Sequence, residues 1–248
     1  MFFFLRLLLA PAFAQSGASQ FEARVFENAK GNRMPYRLFV PQPYDSNVKY
    51  PLVLWLHGID AVGDDNTKQI SDQNFSGSNV WVRQELQARY PAFVVAPQCP
   101  FGQIWADALT RSPMAPLRHA VEILDELQKQ FSIDPDRLYV VGQSLGGFGA
   151  WALITNYPQK FAAAVPVCGG GNALKAKAVA NLPIWAFHDT DDPVVLVFES
   201  RAMISAVRKA GGNPRYTEFA SGLHNAWDRA FNDPEVAAWL FAQKRVIR

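Results

Sequence analysis

A serine lies at the centre of a glycine-rich turn, and the segments on either side of this turn constrain the fold most. Residues 138–141 are nearly all apolar, which is typical of a strand buried on both faces. Gly142, Ser144 and Gly146 then match the pattern G-x-S-x-G. Apolar residues follow at helical spacing and stop at a proline: Ala150, Trp151, Leu153, Ile154 and then Tyr157-Pro158. Because this pattern is meaningful only between a strand and a helix, it predicts a strained turn that exposes Ser144.

The rest of the chain alternates between strand-like and helix-like segments. The strand patterns cover 21–28, 34–40, 51–56, 92–96, 137–141, 161–167, 183–187 and 215–219. The helix patterns run from Ser78 or Asn79 to about 89, from a Ser112 cap with Pro113 to before 134, and over 150–157, 196–210 and 234–244. The first two strands are expected to pair antiparallel. The later alternation predicts right-handed crossovers and an α/β fold with a mostly parallel sheet covered by helices on both faces.

Length and charge limit the remaining possibilities. A chain of 248 residues, about half of them apolar, can fill one core, so residues 21–248 are expected to form a single domain. The formal net charge of +2 gives no reason to expect a nucleic-acid partner. Residues 1–14 are apolar and end in Ala12-Phe13-Ala14, which predicts a cleaved signal peptide and a secreted or periplasmic protein without a membrane anchor. A misplaced start codon, or a merely apolar N-terminus, is the alternative.

A serine hydroxyl needs a base to accept its proton and a third group to orient that base. Downstream of Ser144 the sequence supplies an acid within the segment 188–195 and a histidine, His224, before Asn225. Both segments follow predicted strands, and the carboxyl ends of parallel strands meet at one edge of a sheet. The order serine, acid, histidine is that of an α/β-hydrolase.

The chain resembles the α/β-hydrolase superfamily, in the branch of feruloyl esterases, polyhydroxyalkanoate depolymerases, dienelactone-hydrolase-like esterases and predicted serine peptidases. The segments that carry the resemblance are Leu56-His57-Gly58 with 63–66, 96–100, 142–147, 166–172, 188–195 and 224–227. The resemblance implies Ser144 as nucleophile, Asp192 as acid and His224 as base, with Asp189 and Asp191 as neighbours. This chain departs from the family pattern at Asp189 and Leu223, where relatives usually have glycine.

The resemblance also implies a site without a metal or organic cofactor, in which the backbone N–H groups of Leu145 and Ile59 stabilise the oxyanion. The connection 169–182 is too short for a cap domain, so the site should be open. His57 is expected to pack under the oxyanion loop and His188 to bond the acid loop. With two strands between those that precede Cys99 and Cys168, the two thiols should lie about 14 Å apart and stay free.

Residues near the predicted rim are candidates for binding substrate. They are Trp105, Gln143, Trp81 and Trp227, with Trp105 equally consistent with core packing; the other four tryptophans are expected in the core. The favoured function is a secreted serine carboxylesterase that acts on feruloyl, aromatic or polyester substrates, including polymers. A serine peptidase related to prolyl oligopeptidases and an inactive binding protein on a hydrolase scaffold are the alternatives. The sequence predicts no oligomeric state.

Overall fold

A computed structural model describes residues 20–71 and 77–245. The predicted signal peptide, residues 1–14, lies outside the described residues. The strands are β1 (Glu22–Glu27), β2 (Arg33–Phe39), β3 (Tyr50–Leu56), β4 (Phe93–Pro97), β5 (Ile133–Gln143), β6 (Ala163–Val167), β7 (Trp185–Asp189) and β8 (Arg215–Phe219). They form one eight-stranded sheet in the order β1-β2-β4-β3-β5-β6-β7-β8. The first two strands pair antiparallel and β2 is antiparallel to β4, whereas all later pairs are parallel. The predicted fold class is confirmed.

The α-helices among the described residues are α1 (Ser78–Trp81), α2 (Gln84–Arg89), α3 (Ala115–Gln130), α4 (Leu145–Asn156), α5 (Phe198–Lys209), α6 (Ala226–Asn232) and α7 (Pro234–Ala242). Two predictions were wrong in detail. The helix expected over 78–89 is two short helices, and α3 begins at Ala115 rather than at Pro113. Pro113 instead pairs with Ala106 in an isolated bridge, so the segment before α3 is held in extended form.

The central strands explain why both faces of the sheet are covered. Side chains alternate along β3, so Leu52, Leu54 and Leu56 enter one cluster with α3, α4 and α5. Val53 and Trp55 enter the opposite cluster with α6 and α7. Every residue of β3 is buried, as a strand between two helical layers requires.

Two further expectations concern the connections. Residues between β6 and β7 form only a 3-10 helix, Ala173–Val179, so no cap covers the strand ends from this connection. Cys99 and Cys168 follow β4 and β6, with β3 and β5 between them, and both are buried free thiols, as predicted.

Across the described ranges, helices capable of crossing a membrane are absent.

Candidate active site

Ser144 lies at the sharp corner between β5 and α4. Its backbone φ is 52°, an unfavourable value for a residue with a side chain, and α4 begins at the next residue. The corner also brings backbones together closely. A Cβ atom on Gly146 would lie 1.9 Å from the carbonyl oxygen of Leu56, and one on Gly142 would lie 2.3 Å from that of Gly146. The two glycines are therefore required by the turn that presents Ser144.

Ser144, His224 and Asp192 form a continuous hydrogen-bonded row. The Ser144 hydroxyl donates to Nε2 of His224 over 2.9 Å. On the other side of the ring, Nδ1–H donates to Oδ2 of Asp192 over 2.6 Å. A carboxylate at Nδ1 fixes the tautomer in which Nε2 is free to accept a proton. The structure thus brings together the three side chains that the sequence places on different loops.

The Asp192 side chain is buried but remains a carboxylate. Burial by itself raises its pKa, yet hydrogen bonds from His224 and from the backbone N–H groups of Val195 and Val194 outweigh burial and hold the pKa below the ordinary aspartate range. His188, also fully buried, has its Nε2 2.8 Å from the Val195 carbonyl oxygen and 3.3 Å from Asp192 Oδ2. As expected from the sequence, His188 bonds the acid loop.

The other two acids of this segment contact the backbone instead of the imidazole. Asp191 accepts the backbone N–H of Leu223 over 3.0 Å, and Asp189 accepts that of Asn225 over 2.9 Å. Of the three carboxylates, Asp192 is the one that faces the His224 ring.

The two predicted oxyanion donors are each the first residue of a helix. Leu145 begins α4, and Ile59 begins the 3-10 helix Ile59–Ala61. The first N–H groups of a helix have no partner within it, so they are available to a ligand. Ile59 lines the same cleft as Ser144.

His57 anchors the loop that carries Ile59. The His57 ring is fully buried; its Nδ1–H donates to Gly58 O over 2.6 Å, and its Nε2 accepts the backbone N–H of Cys99 over 2.9 Å. The Trp105 ring packs against it at 5.1 Å, and the Trp105 indole donates to His57 O over 3.1 Å. Both imidazole nitrogens are therefore occupied, which leaves His57 no role as a base.

His57 should also make stability depend on pH. Burial lowers the pKa of His57 to about 4. An unfolded histidine has a pKa near 6.5, so the unfolded chain binds this proton first as pH falls. We expect the free energy of unfolding to decrease by about 3 kcal/mol between about pH 6.5 and pH 4. Urea titrations of the wild type and His57→Asn over this range measure the effect. Between these pH values, the free energy of unfolding of His57→Asn should decrease by about 3 kcal/mol less than that of the wild type. Equal decreases in the two proteins would show that His57 is not the cause.

An open cleft of about 450 Å³ lies beside Ser144. Its lining residues are Gly58, Ile59, Asp60, Gln143, Ser144, Val194, His224, Asn225, Trp227 and Asp228. Two of the predicted substrate-binding residues, Gln143 and Trp227, are among them. The ring of Trp227 stands edge-on to His224, with centroids 5.0 Å apart. Sequence reasoning missed Gly58, Asp60, Val194, Asn225 and Asp228 as lining residues, although each lies within four residues of a predicted site residue.

The other two predicted substrate-binding tryptophans do not reach the cleft. Trp81 is fully buried against the rings of Phe231 and Phe241, because α1 packs on the helical layer that contains α6 and α7. Trp105 is fully buried on His57. Both predictions are corrected. Trp105 packs beneath the loop that carries Ile59, and Trp81 belongs to the core.

One group of side chains has the spacing of metal ligands but not the chemistry. Potential ligand atoms of Cys168, His188 and Asp192 lie within 4.8 Å of one another. Burial raises the pKa of the Cys168 thiol well above its ordinary value, so the sulfur keeps its proton and is a poor ligand. Asp192 and His188 are committed to the hydrogen bonds described above. These residues do not fit a metal ion.

Comparison with known proteins identifies the family of the chain. Residues 28–209 match the model of the family "Putative esterase". A solved thermostable esterase superposes with a TM-score of 0.88 at 38% identity, over 92% of this chain and 64% of that one. An acylaminoacyl peptidase superposes with a TM-score of 0.63 at 13% identity, over 88% of this chain and 40% of that one, which shows the shared fold alone.

Curated relatives include both esterases and a peptidase. A bifunctional acetylxylan esterase/xylanase of Neocallimastix patriciarum is 31% identical over 58% of this chain. Dipeptidyl-peptidase 5 of Porphyromonas gingivalis is 29% identical over 60% of it. Poly(3-hydroxyalkanoate) depolymerase C of Paucimonas lemoignei is 41% identical over 20% of it. The chain spans 20%, 21% and 12% of these three proteins, respectively. With more than half of its residues matched by the family model, on a sheet of the same architecture as the thermostable esterase, the chain belongs to this esterase family of α/β-hydrolases.

Proposed function

We propose that this protein is a serine carboxylesterase that works through an acyl-enzyme intermediate. The observation that carries the proposal is the row Ser144–His224–Asp192 beside an open cleft. His224 accepts the proton of the Ser144 hydroxyl as the oxygen attacks the ester carbonyl, and then gives it to the departing alcohol. Water repeats the sequence to release the acid, while Asp192 stabilises the imidazolium in both halves. Hydrolysis of a short-chain nitrophenyl ester by the wild type and Ser144→Ala tests the proposal.

The N–H groups of Leu145 and Ile59 are proposed to bind the carbonyl oxygen as it becomes negative. Donors of this kind act mainly on turnover, because the charge develops only in the transition state. Leu145 is also the first residue of α4, a helix of 12 residues, so the positive end of its dipole favours negative charge at this position.

Replacing Ile59 by proline should remove one oxyanion donor with little change in fold. Proline fits the first position of a helix, and the preceding Gly58 has extended backbone (φ −75°, ψ −177°) that proline allows. We expect kcat to fall about 10²- to 10³-fold. Ile59→Ala, which keeps the N–H, is the matched control and should stay within a few-fold of wild type. Comparable losses in both variants would show that the side chain matters and the N–H does not.

The cleft favours a neutral ester of substantial size. It is open to solvent, and its walls combine the apolar Ile59, Val194 and Trp227 with the acidic Asp60 and Asp228. The acids should repel negatively charged substrates, whereas the indole of Trp227 offers a face to an aromatic acyl or alcohol group. Such a cleft is compatible with polymer chains, and two relatives are named for xylan acetate and polyhydroxyalkanoate.

Gln143 is proposed to contact the substrate directly. The residue is only 3% exposed, yet its buried Oε1 has no hydrogen-bond partner among the described residues. A buried acceptor of this kind is costly unless a donor reaches it. Because Gln143 lines the cleft, a rotation of its side chain would bring this oxygen to an O–H or N–H group on the substrate, next to the scissile ester. Rates for acetyl-xylan, feruloyl, polyhydroxyalkanoate and aromatic polyester substrates would define the preferred class.

Peptidase activity is the second candidate, favoured by the similarity to dipeptidyl-peptidase 5. The same three side chains can cleave amides, so the distinction requires paired substrates. Matched nitrophenyl esters and nitroanilides with the same acyl group would separate the two activities. A protein that hydrolyses neither, with Ser144 unreactive, would instead be an inactive binding protein on this scaffold.

Export is proposed from the predicted signal peptide, and one relative is described as a secreted protein of Arthroderma benhamiae. Mass spectrometry of the protein recovered outside the cytoplasm should give a chain that starts at Gln15. A chain retained in the cytoplasm with residues 1–14 intact would refute export.

A further inference from the structure

The loop that carries His224 has an unusual backbone. This histidine loop, residues 221–225, lies between β8 and α6. Gly222 has φ 153°, and Leu223 has φ 56°, in the left-handed region that favours glycine. A leucine in this region is strained, so the surrounding contacts must hold the loop in place.

Three carboxylates of the opposite turn bind three successive residues of the histidine loop. Asp191 accepts from the N–H of Leu223 over 3.0 Å, and Asp192 accepts from the imidazole of His224 over 2.6 Å. Asp189 accepts from the N–H of Asn225 over 2.9 Å. The bonds from Asp191 and Asp189 flank His224 on both sides along the chain. The loop is therefore fixed at the residues immediately before and after the proposed base.

Asp189 differs from Asp191 in being deeply buried and paired with a cation. Its side chain is fully buried, and its second oxygen, Oδ1, accepts from Arg229 of α6. Arg229 also donates to the carbonyl oxygen of Ser221 and lies 3.9 Å above the ring of Phe219. One guanidinium thus connects the start of the histidine loop to Asp189. A charge-assisted bond of this kind is stronger than a bond between neutral groups.

Asp189 is anchored in the sheet. Asp189 is the last residue of β7 and pairs with Phe219, the last residue of β8. The next residue, Thr190, donates both its backbone N–H and its hydroxyl to Phe219 O, over 2.8 Å and 2.6 Å. Asp189 therefore connects the edge of the sheet to the histidine loop.

We propose that Asp189 and Arg229 form a positioning pair that holds the His224 imidazole at hydrogen-bond distance from Ser144. This inference rests on the proposed function. Neither residue contacts the reacting atoms; each acts through the backbone of the histidine loop. Without the pair, the strained loop relaxes and moves Nε2 away from the serine hydroxyl. A misplacement of about 1 Å is enough to cost about 10²-fold in rate.

The test compares Asp189→Asn with the control Asp136→Asn. Asp136 is near the start of β5, and Ser144 follows the other end of that strand. Asp136 also pairs with an arginine, Arg245, over 2.8 Å, but lies far along the strand from Ser144. We expect Asp189→Asn to lower kcat about 10- to 100-fold with KM within about twofold. Asp136→Asn should keep kcat and KM, whatever it does to the melting temperature. Both rates are normalised to the fraction of Ser144 that a fluorophosphonate probe labels at completion.

Arg229→Gln breaks the same pair at its more exposed member. It keeps the test informative if Asp189→Asn fails to fold. It should lower kcat about 3- to 30-fold, and the double variant should be no slower than the slower single variant. Arg229→Lys should restore part of the rate. Wild-type kcat in Arg229→Gln, or losses from Asp189→Asn that equal those from Asp136→Asn, would overturn the proposal. Failure of the proposed function would appear separately, as wild-type protein that neither hydrolyses esters nor reacts with the probe.

Discussion

Ser144→Ala should abolish ester hydrolysis, lowering kcat by at least about 10⁴-fold. The substitution removes the only atom in the row that can form the acyl-enzyme, while the remaining donors and the cleft keep their positions. Alanine is smaller than serine and does not add to the contacts made by Gly146 and Leu56 at the turn. The fold should therefore be retained.

The measurement is the rate on a short-chain nitrophenyl ester, together with labelling by a fluorophosphonate. Ser46→Ala, on an exposed turn, is the matched control and should keep both the rate and the labelling. Mass spectrometry of the labelled wild type should locate the adduct on Ser144. Equal ester hydrolysis by wild type and Ser144→Ala would exclude Ser144 as the nucleophile and, with it, the proposed mechanism.

The parts of the site that could be predicted from sequence are those fixed by local chain geometry. The turn at Ser144 needs glycine at positions 142 and 146 because no Cβ fits there, so the pattern itself carries the geometry. His224 and Asp192 follow strands whose carboxyl ends must lie at one edge of a parallel sheet. Their meeting follows from topology, and the structure places them in contact.

Side-chain direction is what the sequence could not supply. Trp81 and Trp105 lie on segments near the rim, but whether a ring faces solvent or core depends on how its backbone docks. Trp81 points inward because α1 is a single short turn that packs on Phe231. Trp105 points inward because its indole N–H finds the carbonyl of His57. Trp227 lies on α6, three residues after His224, and faces the cleft.

The predicted start of α3 was wrong for a related reason. Ser112-Pro113 is a good local signal for a helix start, but the segment makes backbone hydrogen bonds to the preceding part of the loop instead. Ser112 O accepts from Asp107, and Met114 donates to Trp105 O. Those bonds hold the segment extended across the loop and delay α3 to Ala115. Local preference gives way where the backbone has better partners elsewhere.

The segment 189–192 holds three acids within four positions, and Asp192→Asn tests which of them is the triad acid. We expect kcat to fall about 10⁴-fold. The Asp192 Oδ1 accepts from the N–H groups of Val194 and Val195, over 2.9 Å each, so an asparagine at this position would keep its oxygen there. Its NH₂ group would then face His224 Nδ1 and donate to it.

That reversal explains the size of the expected loss. With Nδ1 accepting, the proton of a neutral imidazole moves to Nε2, which can no longer take the proton of Ser144. The volume and most hydrogen bonds of the side chain are unchanged, so the effect should fall on kcat more than on folding. In the wild type, the hydrogen bonds from His224, Val194 and Val195 lower the pKa of Asp192, so this group stays charged at mildly acidic pH and its protonation does not limit activity there.

Asp191→Asn is the matched control, because it makes the same chemical change one residue away. Asp191 is exposed, and among the described residues it accepts from the backbone N–H of Leu223, a bond that an asparagine oxygen can still make. We expect less than about a tenfold loss of kcat. The ratio of the two variants, measured on one ester at pH 7.5 with labelled active sites counted, assigns the acid. A larger loss for Asp191→Asn would transfer the role to Asp191 and would require the histidine loop to adopt a different position during turnover.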